Sequence, residues 1–328
     1  MLKISVAICT YNGERYIKDQ LKSILDQDRR VDEIVICDDG STDNTVIVCN
    51  NILLHSGIKY TIVENKENFG FIKNFYQAMS LCKNDIIFLC DQDDVWLRNK
   101  TSVILDVFEK NSTALMVFSN AIVTNDKLEP INDLYKTLNY SASYLENQNI
   151  AFEKLLNDNF VVGATAAIRK DLLNMANDLD NEWAHDSWLA IVASLNKGLY
   201  SIDDSLIYYR QHATNTIGIN QQSELRKLKK ILKKIFSSNM DQYACIRVPL
   251  LLHLKKYMEN RYFEKENYLK LEKSIEFWNK RLNFSKNNIF QNIIIVLIGA
   301  FKEEQKKNRN IKRPVLVDLI NAILIARK

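Results

Sequence analysis

Three carboxylates lie within four residues at positions 91–94, where the sequence reads Asp-Gln-Asp-Asp directly after an apolar run. Carboxylates this close repel one another unless a cation lies between them. In an extended segment Asp91 and Asp93 point the same way, and an ion such as Mg²⁺ takes one or two protein carboxylates together with substrate phosphate oxygens. The run therefore predicts a site for a divalent metal and a diphosphate. The alternative is an acidic turn in which Asp94 caps a helix that enters at Trp96.

Polar residues also follow two earlier apolar runs, Thr-Tyr-Asn-Gly at 10–13 and Asp-Asp-Gly-Ser-Thr-Asp at 38–43. Ligands of open α/β sheets collect beyond the carboxyl ends of the strands, so we expect these polar edges to meet at one cleft. The chain lacks the glycine spacings that cradle a dinucleotide or a nucleoside triphosphate. A carboxylate on the ribose or base, with Tyr11 against the base, fits better. Alone, residues 38–43 also fit a turn followed by a capped helix.

Apolar runs that alternate with helical patterns predict the elements that position these residues, an α/β fold with a parallel sheet. In the first helix, which starts near Glu14, a buried stripe is expected at Ile17, Leu21 and Ile24. Residues 125–150 lose the alternation and predict a mobile or acceptor-facing segment rather than core. The predicted strands are residues 4–9, 33–37, 59–63, 85–90, 115–118 and 161–168. Later helices start near 43 and 71, and a further helix carries Val103, Ile104, Val107 and Phe108.

Charge divides the chain in two. Residues 1–219 hold 20 Lys and Arg against 30 Asp and Glu, whereas residues 220–328 hold 24 against 10. The second part is therefore predicted to be a separate helical, basic region facing an anionic membrane surface or a nucleic acid. It includes an amphipathic basic helix at 225–235. Its apolar stretches, 289–301 and 315–325, are shorter than the roughly 18 residues of a spanning helix.

The six cysteines lack paired CxxC spacing, which predicts reduced, buried thiols. The first apolar run passes directly into Thr10, Tyr11 and Asn12 and does not resemble a charged, apolar leader. A cytoplasmic protein is the expectation.

Four short motifs taken together resemble the family 2 glycosyltransferases. They are Ala-Ile-Cys-Thr-Tyr-Asn at 7–12, Asp-Asp-Gly-Ser at 38–41, Asn-Phe-Gly at 68–70 and Asp-Gln-Asp-Asp at 91–94. The resemblance covers roughly residues 1–218. It implies a GT-A fold, which is a Rossmann-like mixed sheet flanked by helices, together with a nucleotide-sugar donor, a divalent metal such as Mg²⁺ or Mn²⁺, and inversion at the transferred anomeric carbon.

The resemblance also assigns residues to the donor and to the metal. Arg210 is expected to hold phosphate, and His212 to complete the metal shell as a neutral imidazole. Asp94 is an alternative to Asp91 as a ligand, and an ordinary surface pair is the alternative for Arg210 and His212. The implied donor-binding residues are Thr10, Tyr11, Asn12, Asp39, Gly70, Lys73, Asp91 and Arg210, and the implied metal ligands are Asp91, Asp93 and His212.

Asp186 is the predicted catalytic base, because an inverting transfer needs a carboxylate to accept the proton of the acceptor hydroxyl. The resemblance places an acidic base near a helix start, as in the Trp-Ala-His-Asp-Ser-Trp run at 183–188. Tryptophan side chains can desolvate the base and stack on sugars, so the acceptor-binding candidates are Trp96, Trp183 and Trp188. The alternative for Asp186 is a helix cap beside core aromatics. A lone histidine is more often structural, so His185 stays outside the catalytic set.

The motifs at 91–96, 184–189 and 209–212 look most like those of bacterial rhamnosyltransferases of polysaccharide synthesis. A dTDP-L-rhamnose donor is implied first, with UDP-galactose, UDP-glucose and UDP-GlcNAc as alternatives. A glycan or lipid-linked acceptor would give the basic region a role at the inner face of the plasma membrane.

Two alternatives remain open. The basic helices could merely pack or form a homodimer, and the chain could be a non-catalytic glycan-binding subunit. Nucleic-acid binding is not expected, because it leaves the acidic strand ends without a role.

Overall fold

The structure is a computed structural model that describes residues 2–177, 183–212 and 240–282. The chain divides into two compact units, residues 1–219 and 220–328.

Three predicted features of the basic region lie outside the described residues. They are the helix at 225–235 and the apolar stretches at 289–301 and 315–325. Within the described part of the chain, no helix is long and apolar enough to cross a membrane.

The described strands of the first unit form one mixed sheet. They are β1 (Ile4–Thr10), β2 (Glu33–Asp38), β3 (Lys59–Glu64), β4 (Ile86–Cys90), β5 (Val95–Trp96), β6 (Met116–Thr124), β7 (Pro130–Asp133), β8 (Ala166–Arg169) and β9 (Leu199–Arg210). Their order is β3-β2-β1-β4-β8-β6-β9-β5, and β7 also pairs with β6. Strands β1 to β4 are parallel, β8 is antiparallel to β4 and β6, and β9 runs parallel to β6.

Helices cover the sheet because its central strands are apolar on both faces. All residues of β2 and β4 are buried. In the first helix, α1 (Ile17–Leu25), the predicted stripe of Ile17, Leu21 and Ile24 is buried, and Lys22 and Asp26 are exposed. The other described helices of this unit are α2 (Thr45–Leu53), α3 (Phe71–Leu81), α4 (Lys100–Lys110), α5 (Leu134–Leu138), α6 (Gln148–Leu155), α7 (Asp171–Met175) and α8 (His185–Leu195).

The predicted α/β alternation is confirmed from β1 to β6. Two differences concern the second half of the sheet. The run at 161–168 is only partly a strand, because a 3-10 turn at Gly163–Thr165 precedes β8. Strand β9 was not predicted, since its middle carries exposed Asp203 and Asp204 and therefore lacks a continuous apolar pattern.

The prediction that residues 125–150 lie outside the core is wrong. Tyr135 and Tyr140 are buried, and the Tyr135 hydroxyl donates to the carbonyl oxygen of Ile202 on β9 over 3.0 Å. Leu134 is buried as well, so the segment contributes both aliphatic and aromatic side chains to the core. The rings that contact one another, which we call the aromatic cluster, are Phe118, Tyr135, Tyr140, Tyr144 and Phe160.

All six cysteines are free, as predicted. Four are buried, and burial raises the pKa of the Cys37 thiol to about 12. Cys245 is exposed, so the expectation of burial is wrong for this residue.

The described part of the second unit is a helical hairpin of α9 (Met240–Glu259) and α10 (Lys265–Leu282). The Tyr268 hydroxyl donates to the carbonyl oxygens of Met258 and Arg261, which fixes the start of α10 against the end of α9.

Tyr140→Ala should lower the free energy of unfolding by about 3 kcal/mol, because it removes a buried ring from the aromatic cluster. Ile131→Ala is the control, since Ile131 in β7 is 44% exposed and should change stability by no more than about 0.5 kcal/mol. Equilibrium denaturation by urea measures both. Equal stability of the two variants would show that residues 125–150 are not core.

Candidate active site

The polar segments meet at one edge of the sheet because the strands before them run in the same direction. Strands β1, β2 and β4 end there at Thr10, Asp38 and Cys90. Strand β9 runs parallel to β6, so its end brings Arg210 and His212 to this edge as well. The pairing of β9 therefore joins the late motif to the first half of the chain.

Residues 91–94, which we call the acid loop, are held by backbone and side-chain contacts. The Asp94 Oδ1 atom accepts a hydrogen bond from the Arg210 backbone N–H over 2.9 Å. Its Oδ2 atom is buried and has no hydrogen-bond partner among the described residues. The alternative of Asp94 as a helix cap is wrong, because Trp96 pairs with Ile207 in the sheet and the next helix begins only at Lys100.

Asp93 and His212 are in direct contact. Their Oδ2 and Nε2 atoms are 2.7 Å apart, and both side chains are largely buried. The two residues are 119 positions apart in the sequence, and only the pairing of β9 brings them together. The structure thus places two of the three implied metal ligands side by side.

The carboxylates of the acid loop lie close together in a buried environment, where their negative charges repel one another. Burial, followed by the charges of Asp93 and Asp186, raises the pKa of Asp91 to about 7. Burial likewise raises the pKa of Asp94 well above its usual range. A cation at the loop would relieve this repulsion.

Lys100 supplies one such cation from inside the protein. Its side chain is fully buried, its Nζ donates to the carbonyl oxygen of Ala164 over 2.6 Å, and it lies 4.2 Å from the centroid of the Trp96 ring. Burial lowers the pKa of Lys100 to about 8, while the charges of Asp94 and Asp91 act in the opposite direction. Lys100 was not among the predicted site residues. The one feature of the sequence that could have indicated it is a lysine at an otherwise apolar-facing position of α4.

The donor set suits a magnesium-like or manganese-like ion, which prefers carboxylate oxygens and accepts imidazole. Among the described residues, no three His, Cys, Asp or Glu side chains converge closely enough to hold a metal by themselves. The unpartnered Oδ2 of Asp94 and the Asp93–His212 pair fit an ion whose remaining ligands come from a diphosphate.

Asp186 lies in the first turn of α8 with its carboxylate fixed by the backbone. Its Oδ2 accepts from the Gly163 N–H over 3.2 Å, and its Oδ1 from the Ser187 N–H over 2.6 Å. The helix begins after Ala184, which occupies the N-cap position, so Asp186 is not the N-cap residue. Gly163 belongs to the turn before β8, and because β8 is antiparallel to β4 this turn lies beside the end of β4, where the acid loop begins.

Gly163 is required by a close approach. A Cβ atom on this residue would lie 2.9 Å from the Nε2 atom of His185, whose ring is stacked on Phe75 at 4.0 Å between centroids. Both ring nitrogens of His185 are buried and lack a hydrogen-bond partner among the described residues, and burial lowers the pKa of the imidazole. A neutral histidine thus packs directly beside the predicted base.

Several implied donor-binding residues have structural partners. The buried Thr10 hydroxyl donates to Asp38 over 2.7 Å, so it is not open to a nucleoside. Asp39 accepts from the backbone N–H groups of Phe69 and Gly70 over 2.8 and 2.9 Å. Gly70 has a φ of 81°, a left-handed conformation that suits glycine. Asp39 thereby fixes the turn that starts α3.

Three implied donor-binding residues are exposed, Tyr11, Asn12 and Lys73, although the Asn12 Oδ1 atom accepts from the Thr42 backbone N–H over 2.8 Å. Tyr11 is 49% exposed, and Asn12 and Lys73 are also exposed. The Tyr11 backbone N–H donates to the side chain of Gln92, whose amide donates back to the Tyr11 carbonyl. This reciprocal pair links the β1 end to the acid loop and leaves the tyrosine ring accessible.

Arg210 is a brace within the protein rather than an open phosphate ligand. Its side chain donates to the backbone carbonyl oxygens of Asp93 and Asp126 over 2.8 and 2.9 Å, and the residue is 5% exposed. The expectation that it holds phosphate therefore requires revision. Sequence alone cannot distinguish a guanidinium that binds phosphate from one that binds carbonyl groups.

The prediction that three tryptophans stack on an acceptor is wrong. Trp96, Trp183 and Trp188 are 3%, 1% and 0% exposed, so their rings offer no open face. The Trp188 indole N–H donates to the carbonyl oxygen of Ala176, and Trp183 lies 5.6 Å from Trp188 between ring centroids. They are core residues, because a large apolar ring gains most from complete burial.

The mixed sheet with an acidic loop after β4 and a carboxylate-bearing helix beside it has the architecture of the GT-A fold. The model of the family described as "Glycosyl transferase family 2" matches residues 5–176, and the chain belongs to this family.

Two curated relatives and one solved structure illustrate its similarities. A dTDP-rhamnosyl transferase, RfbG of Shigella flexneri, is 30% identical over 65% of this chain and 74% of its own. The Escherichia coli protein WfaP, a UDP-Glc:alpha-D-GlcNAc-diphosphoundecaprenol beta-1,3-glucosyltransferase, is 27% identical over 74% and 90% of the two chains. The mannosyltransferase PcManGT of Pyrobaculum calidifontis, solved with GDP-Man and Mn²⁺, has a TM-score of 0.56 at 16% identity, covering 99% of this chain and 86% of its own.

The raised pKa of Asp91 predicts how stability depends on pH. An aspartate in the unfolded chain titrates near pH ~3.9, whereas burial and the charges of Asp93 and Asp186 raise the pKa of Asp91 to about 7 in the folded protein. Between these values the Asp91 carboxyl holds its proton only in the folded chain, so its contribution to the free energy of unfolding falls as pH rises, by up to about 1.4 kcal/mol per pH unit.

Asp91→Asn should flatten this dependence between about pH 4 and pH 7. Urea denaturation in EDTA across that range is the measurement. Asp204→Asn, at an exposed position on β9, should keep the wild-type slope. A wild-type slope in Asp91→Asn would show that Asp91 is an ordinary solvated carboxylate.

Proposed function

We propose that this glycosyltransferase transfers a sugar from a nucleotide-diphosphate donor, with dTDP-L-rhamnose as the first choice, to a glycan or lipid-linked saccharide with inversion. The supporting observation is that Asp186, with both oxygens oriented by backbone N–H groups, accepts one of these bonds from the turn beside the end of β4, where the acid loop begins. In this proposal the base and the diphosphate-metal site act on opposite sides of the reacting carbon, as inversion requires.

In this proposal Asp186 accepts the proton of the acceptor hydroxyl. The acceptor oxygen forms a bond to the anomeric carbon while the bond from that carbon to the diphosphate oxygen breaks, and the nucleoside diphosphate leaves with the electron pair. The hydrogen bonds from Gly163 and Ser187 keep the carboxylate in one orientation, which favours proton transfer at a defined atom.

Asp93 and His212 would hold a Mg²⁺ or Mn²⁺ ion, with Asp91 or Asp94 as a further ligand. When bound, the ion would stabilise negative charge on the leaving diphosphate. The Mn²⁺ in the PcManGT structure supports this assignment. Tyr11, Asn12 and Lys73 are the accessible candidates for the nucleoside and phosphate side of the donor.

The donor sugar is proposed from relatives. The name of RfbG supports dTDP-rhamnose, and its identity to this chain is 30%. The name of WfaP supports UDP-glucose as the second choice of donor, and other UDP-hexoses and UDP-GlcNAc are grouped with it.

Release of nucleoside diphosphate from a panel of dTDP-rhamnose, UDP-glucose, UDP-galactose and UDP-GlcNAc tests the function. With an oligosaccharide or lipid-linked acceptor extract, we expect release from dTDP-rhamnose with Mn²⁺ or Mg²⁺ and its loss in EDTA. Asp186→Asn should reduce transfer by roughly 10²–10⁴-fold while retaining donor binding, because only proton transfer is lost. Asp93→Ala should weaken metal-dependent donor binding.

The control is Asp106→Asn, which alters an exposed carboxylate paired with Lys110 on α4 and should leave transfer unchanged. Turnover of only UDP-hexoses would replace the rhamnose assignment and keep the mechanism. Absence of donor binding and turnover across the panel would contradict the enzymatic proposal and favour a glycan-binding subunit.

We also propose that residues 220–328 bind an anionic membrane surface, a homodimer partner, or both. Their 24 basic and 10 acidic residues support attraction to anionic lipid. The diphosphoundecaprenol in the name of WfaP supports a lipid-linked acceptor. Catalysis at the inner face of the plasma membrane would follow.

The full chain should therefore sediment with vesicles of phosphatidylglycerol at low salt and dissociate as salt rises, because exposed charges are screened. Vesicles of neutral phosphatidylcholine are the control. Equal sedimentation with both vesicles, or none with either, would count against electrostatic membrane binding.

A further inference from the structure

Tyr16 contacts the residue proposed to complete the metal shell. Its ring is stacked on the His212 imidazole, with 4.5 Å between centroids and 21° between planes. Tyr16 is 7% exposed and lies at the N-cap of α1. Tyr16 therefore contacts a residue just after β9, although it lies near the start of the first unit's sequence.

The Tyr16 ring is itself fixed at its hydroxyl. The hydroxyl donates to the Oδ1 atom of Asp126 over 2.6 Å, and Arg15 forms an ion pair with the same carboxylate. Asp126 lies in the turn after β6, and its backbone carbonyl accepts from Arg210 over 2.9 Å. The Arg210 guanidinium also lies 4.9 Å from the centroid of the Tyr16 ring.

His212 lies just beyond β9, which ends at Arg210. The backbone N–H of Gln211 donates to the Thr124 carbonyl oxygen over 2.9 Å and holds the chain up to that residue, whereas the plane of the His212 imidazole is set by its side-chain contacts. The contact with Asp93 fixes the Nε2 atom. Stacking on the fixed Tyr16 ring restricts the orientation of the imidazole plane, and with it the direction of the Nε2 atom.

We propose that Tyr16 is a positioning residue for the metal site, holding the His212 imidazole with its Nε2 directed at Asp93. Asp126 supports this arrangement indirectly, because it accepts the hydrogen bond from the Tyr16 hydroxyl. This inference rests on the proposed function, because it assumes that His212 is a metal ligand. Partners of this kind commonly change metal affinity by roughly 10-fold or more when they are removed.

Three variants of the full chain separate the parts of this arrangement. Tyr16→Leu removes the ring, Tyr16→Phe keeps the ring and removes the hydroxyl, and Asp126→Asn keeps Tyr16 and weakens its support. Tyr262→Leu is the matched control, because Tyr262 is 98% exposed. Thermal unfolding establishes that each variant is folded.

The first measurement is Mn²⁺ affinity in the presence of dTDP, followed by electron paramagnetic resonance of free Mn²⁺. We expect Tyr16→Leu to weaken Mn²⁺ binding by about 10-fold, Tyr16→Phe and Asp126→Asn to weaken it less, and Tyr262→Leu to bind as wild type. In turnover, Tyr16→Leu should raise the half-saturating Mn²⁺ concentration and largely keep the rate at saturating metal. A general loss of structure would instead lower the rate at every metal concentration.

The second measurement is the ¹³C NMR spectrum of histidine labelled at Cε1. The chain has four histidines, so His212→Gln assigns the relevant signal. Loss of the stacked ring in Tyr16→Leu should move the His212 signal, while Tyr16→Phe should keep it near the wild-type position.

The outcomes distinguish the two levels of the proposal. If wild type binds no Mn²⁺ with dTDP, the metal assignment in the proposed function fails, and the role of Tyr16 fails with it. If wild type binds Mn²⁺ and folded Tyr16→Leu binds it equally well with an unmoved His212 signal, only the role of Tyr16 is overturned. Should Tyr16→Leu not fold, wild-type affinity in both Tyr16→Phe and Asp126→Asn would overturn it.

Discussion

Repulsion among the acid-loop carboxylates is the constraint on which the site depends. Asp91, Asp93 and Asp94 are brought together at the end of a fully buried strand, where water screens their charges poorly. The protein offsets part of this cost with the buried ammonium of Lys100 and with the Arg210 N–H on Asp94. What remains is a site biased toward binding a cation, and the Asp93–His212 pair lies directly in it.

The direction of the strands explains why base and acid loop are neighbours. Strand β8 is antiparallel to β4, so the turn at Gly163–Thr165 before β8 lies beside the end of β4. Gly163 donates to Asp186, and Ala164 accepts from Lys100. One turn thus connects the predicted base to the cation behind the acid loop. A substitution of Lys100 should consequently affect both the Asp186 carboxylate and the acid loop, even though the hydrogen bond of Lys100 to the turn is to the carbonyl oxygen of Ala164.

Much of the fold was predictable because local patterns dictate it. Apolar runs gave β1 to β4, and the residues after them marked the correct edge of the sheet. The pairing of β9 was not predictable, since Asp203 and Asp204 interrupt its apolar pattern and its partner β6 is about 80 residues earlier. The exposure of individual side chains was not predictable from the sequence either. Trp188 and Thr10 have residue types that bind sugars and nucleosides, but their partners, Ala176 and Asp38, became visible only in three dimensions.

The revised role of Arg210 changes how the late motif is understood. As a phosphate ligand it would act alone, whereas as a brace it joins the carbonyl oxygens of Asp93 and Asp126 and carries His212 two residues beyond. Tyr16 contacts both Arg210 and His212 through one ring. The end of β9 is therefore fixed by α1, the acid loop and the turn after β6 together. A metal ligand that lies beyond the end of a strand is oriented by the elements around it, and here several elements share that task.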